Sequence, residues 1–144
     1  MPTHLIGRLL RPVRAGIDRI AWNSPSVDQA PQVITLTSAA FADNAPMPRQ
    51  FAGKGVGDDL SPQLRWSGVP AGAAELVLVI EDPDVPLRRP IVHGLFTGIA
   101  PEVAEIPEGA LNLAETTLTS VPGIRFGKGS FNRRGYAGPR PIPG

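Results

Sequence analysis

A chain of 144 residues is the length of one domain, and 42% hydrophobic with 19% charged residues is the composition of a globular one. A formal net charge of +1, with no basic stripe interleaved with aromatics, argues against nucleic-acid binding. The absence of cysteine removes disulfides, thiolate zinc sites and cysteine nucleophiles together. The chain also lacks a long apolar run and a signal-peptide core, so the expected setting is a reducing one, the cytoplasm. With 17 prolines and 16 glycines, short strands joined by turns are favoured over a helical bundle, and the expected fold is mainly β.

In chain order, residues 1–22 stand apart. Leu5, Ile6, Leu9, Leu10, Val13, Ile17 and Ile20 recur at helical spacing with Arg8, Arg11, Arg14 and Arg19 between them. This predicts an amphipathic basic helix with Thr3 as N-cap and a kink at Pro12. Such a helix either lies on an anionic membrane surface or packs its apolar stripe on the domain or a second subunit. Residues 23–32, polar and proline-bearing, read as a linker, and the domain proper is expected over 33–144, with a first strand at Val33 to Thr37. Between Ser38 and Asp59 turn formers dominate, with Phe51 a core anchor among them. The spacing Gly53-x-Gly55-x-Gly57 lacks both the register and the following helix of a phosphate cradle. Leu64 and Trp66 alternate with polar neighbours as a half-buried strand does. Ser67 has Arg65 where a nucleophile elbow needs glycine.

The centre of the chain is residues 75–99. Leu76 to Ile80 is a short run rich in β-branched residues, expected as a strand buried on both faces. It ends at Glu81-Asp82-Pro83-Asp84, because Pro83 and Pro86 cannot donate to a ladder and bias the residues before them to extended or turn geometry. A second apolar run, Ile91 to Ile99, carries His93 near its start. If the two runs pair, His93 faces the mouth of the turn and an imidazole meets carboxylates there. The residues alone leave other readings open. Asp-Pro sequences cap turns through their own side chains, and Asp82, Asp84 and His93 would suit an oxygen-loving metal, although no further histidine or cysteine stands nearby. A hydrolase with His93 as base lacks a recognisable nucleophile. Gly127-Lys128-Gly129-Ser130 fails as a phosphate loop because Pro122 occupies its first glycine position. Arg133 and Arg134 form a small basic patch that either steers an anion or is simply solvated.

Taken together, LSPQLRWSGVPAG, EDPDVP, VHGLFTGIAP, Ile106-Pro107-Glu108-Gly109 and GYAGPRPIPG resemble the phosphatidylethanolamine-binding protein family, whose bacterial branch is labelled Raf kinase inhibitor-like. The resemblance runs from Phe51 to Gly144. It implies two antiparallel sheets with a shallow pocket for phosphate or phosphorylated head groups, binding without catalysis, and no cofactor or metal. By position, Asp82 resembles the pocket aspartate, Asp84 its partner in the turn and His93 the pocket histidine. Gly138, Pro139 and Pro141 resemble the pocket wall, with Tyr136 just before it. Gly94, Arg140 and Ile142 depart from the family's usual residues, and the family's closing strands are expected to be missing after Gly144. A sheet edge left unpaired by that loss predicts a homodimer. The alternative implied function is a protein- or membrane-interaction module, kinase-inhibitor-like, with a vestigial pocket.

Overall fold

The computed structural model describes residues 9–10, 12–112 and 121–141. Most of the N-terminal stretch through Leu10 therefore lies outside the described residues; of the described ones, Leu9 and Leu10 are helical. The continuous helix expected to run to residue 22 does not form. Beyond Pro12 the chain is extended, then makes two 3₁₀ turns, Ile17–Arg19 and Ala21–Asn23. Local chemistry and tertiary bonds both oppose the helix. Pro12 removes a donor, Gly16 takes a left-handed φ of 93°, and the N–H groups of Ala15 and Gly16 are taken by the carbonyls of Val85 and Pro83 at 3.0 and 3.3 Å. Those are donors a helix would have used internally. The expected linker holds one short helix, α1 (Pro25–Asp28), opened by proline at its first turn.

Six strands follow: β1 (Thr35–Thr37), β2 (Leu64–Ser67), β3 (Leu76–Asp82), β4 (Ile91–Ile99), β5 (Glu105–Ile106) and β6 (Arg125–Phe126). They form two antiparallel three-stranded sheets, ordered β1-β2-β5 and β3-β4-β6, so the mainly β, two-sheet expectation is met. β2 shows the alternation its sequence suggests, with Leu64 and Trp66 buried and Arg65 and Ser67 exposed. β3 does not match the expectation of a strand buried on both faces. Among the described residues it is the edge of its sheet, its residues are only half-buried, and Val77 is exposed.

One core joins the sheets. Leu64 and Trp66 come to it from β2, Ile106 from β5, and Phe96 and Ile99 from β4, with Leu111, Val121 and Tyr136 filling in from loops. Phe96 meets Phe126 of β6 edge-to-face, centroids 5.2 Å apart, a favoured aromatic geometry. Phe51, in the 3₁₀ turn Arg49–Phe51, is fully buried as expected.

Pairing between β3 and β4 sets up the site. Ile80 pairs with Gly94 and Glu81 with Val92, so His93 is the extra residue of a β-bulge. A bulge bends its strand and re-aims a side chain. Its mark here is that two adjacent residues of β4, His93 and Gly94, are both buried.

Candidate functional site

Asp82 is the last residue of β3, and Pro83 prevents the ladder from continuing. Its Oδ1 accepts the Asp84 N–H at 2.8 Å, an Asx turn that fixes the carboxylate at the strand end. Across the pairing, the bulge brings His93 Nε2 to 3.9 Å from Asp82 Oδ2. The ring is 8% exposed and held from behind: Nδ1 lies 2.5 Å from the Ala137 carbonyl oxygen, while the Ala137 N–H donates to the His93 carbonyl at 2.8 Å.

That contact fixes the tautomer. A carbonyl oxygen only accepts, so Nδ1 carries the hydrogen, and Nε2 of the neutral ring is an acceptor. Nε2 is buried and has no hydrogen-bond partner among the described residues. It therefore faces Asp82 Oδ2 as one acceptor faces another. The gap closes favourably only when a proton lies in it, carried by an imidazolium or by a bound donor. With a proton on Nε2, the imidazole of His93 is the main influence holding the Asp82 carboxyl below its usual range. Partial burial opposes this, and the Asp84 amide supports it.

The other expected site residues divide. Asp84 contributes its backbone N–H, but its carboxylate is exposed and ion-paired with Arg14. Asp82, Asp84 and His93 thus do not converge as a metal-ligand set. Tyr136 is buried, and its hydroxyl donates to the Phe51 carbonyl at 2.6 Å. Burial first, and the charge of Asp59 second, push that hydroxyl's pKa far upward. Gly138 is buried and Pro139 half-buried, and the Pro139 carbonyl accepts the Gly53 N–H at 2.9 Å, so this turn is fastened beside His93. Pro141 is exposed. Arg133 stands 3.6 Å from Asp59 Oδ2, and Arg134 donates to the Phe126 carbonyl.

Two residues here were not singled out from the sequence. Ala137 acts only through its backbone, which no sequence pattern reveals. Asp59 is 6% exposed, sits at a left-handed φ of 59°, and accepts the Gly138 N–H through Oδ1 at 2.6 Å. Its neighbours Gly57 and Asp58 made it look like one more turn residue. An apolar groove lies along β3, lined by Trp22, Leu36, Trp66 and Val77 with one carboxylate, Glu81. That carboxylate is occupied by the Ala21 N–H at 2.7 Å. The convergent polar groups are at His93 instead.

Known proteins resemble this chain in sequence and fold. A family model described as phosphatidylethanolamine-binding protein matches residues 37–144. The putative lipoprotein LppC of Mycobacterium tuberculosis is 42% identical over 115 residues, 80% of this chain and 51% of that protein. The chain thus spans about half the length of this curated relative. Two crystal structures share the fold. YbcL of E. coli, described as a new member of the mammalian PEBP family, has a TM-score of 0.69 at 28% identity over 76% of this chain and 67% of its own. CT736 of Chlamydia trachomatis, described as a putative PEBP homologue, has a TM-score of 0.63 at 31% identity over 76% of this chain and 66% of its own. The chain belongs to the phosphatidylethanolamine-binding protein family.

Proposed function

We propose that the facing pair Asp82 and His93 binds a small phosphorylated anion that still carries a proton. The observation behind this reading is the pair of facing acceptors, His93 Nε2 and Asp82 Oδ2, with no donor between them among the described residues. A phosphate monoanion complements both. Its P–O⁻ accepts from a protonated Nε2, and its P–OH donates to Asp82 Oδ2, so each contact is a charge-assisted hydrogen bond. A fully ionised phosphate offers Asp82 no proton and meets repulsion. Gly138 and Pro139 form the wall beside the imidazole. This is binding without chemistry, in keeping with the family.

The test is a titration with inorganic phosphate and with phosphoethanolamine, followed through the His93 imidazole NMR signals. Saturable shifts are expected at millimolar ligand; for phosphoethanolamine they should be stronger near pH about 6 than near about 8, because its phosphate loses its last proton over that interval while inorganic phosphate keeps a P–OH. They should vanish in His93→Gln. Unmoved His93 signals at millimolar ligand would end the reading. Phosphoethanolamine binding tighter than phosphate would point to head groups over the free ion.

We further infer a cytoplasmic setting from the absence of cysteine, against which recovery in the membrane fraction of the native host would count. A homodimer is inferred from the unpaired edge of β3 among the described residues. Light scattering at micromolar concentration tests it, and a monomeric mass would overturn it.

A further inference from the structure

The peptide unit between Ala137 and Gly138 is pinned at both ends. Its carbonyl oxygen contacts His93 Nδ1 at 2.5 Å, and its N–H donates to Asp59 Oδ1 at 2.6 Å. In a trans peptide the C=O and N–H point in opposite directions. Asp59 and His93 therefore sit on opposite sides of one amide, and a carboxylate is connected to an imidazole through it.

From this we infer that Asp59 is a positioning residue that sets the tautomer and ring orientation of His93 through the Ala137–Gly138 peptide. A carboxylate accepting the N–H polarises the amide and makes its carbonyl a stronger acceptor. A stronger acceptor favours the hydrogen on Nδ1 and leaves Nε2 turned toward Asp82. A carboxylate commonly plays this part for a functional histidine by direct contact; here a backbone amide stands between the two.

Asp59 is held for the task. Its own N–H donates to the Ala52 carbonyl at 2.8 Å, and its carbonyl accepts the Asn112 side-chain amide at 2.6 Å. Asn112 in turn accepts the Ser61 N–H at 2.9 Å, and the fully buried Ser61 hydroxyl accepts the Leu111 N–H at 3.1 Å. Arg133 offsets the charge of the buried carboxylate from 3.6 Å. Backbone bonds thus fix where Asp59 is, and its side chain is left for Gly138.

The left-handed φ of 59° selects the variants, because asparagine and glycine both tolerate it while alanine would add strain of its own. Asp59→Gly deletes the carboxylate, and Asp59→Asn keeps an oxygen that accepts more weakly. The readout is the imidazole ¹⁵N spectrum of His93 in the free protein at alkaline pH, with His4 assigned by substitution. The native chain should show the Nδ1–H tautomer. Asp59→Gly should move the ratio toward Nε2–H by about threefold or more, and Asp59→Asn should restore most of it. An unchanged tautomer in folded Asp59→Gly overturns the inference.

If Asp59→Gly does not fold, Asp59→Asn decides alone. The Gly138 amide proton and the His93 Nδ1 proton should then shift upfield together, and a Gly138 shift with His93 unmoved overturns the coupling. The consequence for ligand binding rests on the reading of the site as a phosphate pocket. The tautomer is measured without ligand, so absent phosphate binding and an unchanged tautomer are separate failures.

Discussion

At Asp82 two influences compete. Partial burial favours the neutral acid, while the facing imidazole of His93 and the Asp84 amide favour the carboxylate, and the second pair prevails. The folded-state pKa is therefore below that of the unfolded chain. The resulting stability is present above the ordinary carboxylate range, about 3.9, and is lost as pH falls through the lowered folded value. Asp82→Asn removes this linkage. Thermal melts from pH about 6 down to about 3 should show the native chain losing more stability than the variant, and parallel curves would show that the carboxylate is not held by its neighbours. Asp82 was legible in the sequence because its cause is local: a proline follows it and an aspartate two places on closes the turn. Asp59 was not legible. Its partner Gly138 is 79 positions away, and only folding shows that a buried carboxylate belongs to the site.

Among the elements, the runs that became β3 and β4 were readable because β-branched periodicity and proline stops are properties of short windows. The bulge at His93 was not, since it exists only in the pairing of the two strands, and one skipped residue decides how the imidazole is aimed. Beyond Pro12 the expected helix does not continue, for the opposite reason. Its apolar spacing was real, but the carbonyls of Val85 and Pro83 and the turn at Gly16 compete for the same backbone, and tertiary bonds override a weak local preference. The turn at Gly138 yields a prediction at this scale. A Cβ there would stand 2.4 Å from the Phe51 carbonyl oxygen and 2.6 Å from the Gly53 nitrogen, both backbone atoms that yield only if the turn moves. Gly138→Ala should cost about 1–3 kcal/mol in urea unfolding and weaken phosphate binding along with it. Unaltered stability would mean that the turn is not clamped.

For the whole molecule, the question is whether two small sheets fold as one unit. Among the described residues neither has more than three strands, and β5 and β6 are two residues each, so neither sheet has much independent stability. What unites them is the shared core, to which β2 and β5 bring Leu64, Trp66 and Ile106 and β4 brings Phe96 and Ile99. Phe96 lies in that core with none of its surface exposed, and it also anchors Phe126 of β6. Phe96→Ala should destabilise by about 3–5 kcal/mol, and the loss should be felt in the sheet that does not contain it. Trp66 on β2 reports on that sheet by fluorescence, provided the half-exposed Trp22 is first replaced by phenylalanine. Far-UV circular dichroism reports on strands of both. If the core is one cooperative unit, the two signals move to lower urea by the same amount and remain superimposed. A Trp66 transition that stays at its original midpoint while the dichroism shifts would mean that the sheets unfold separately, and the pairing of Asp82 on β3 with His93 on β4 would then depend on only one of them.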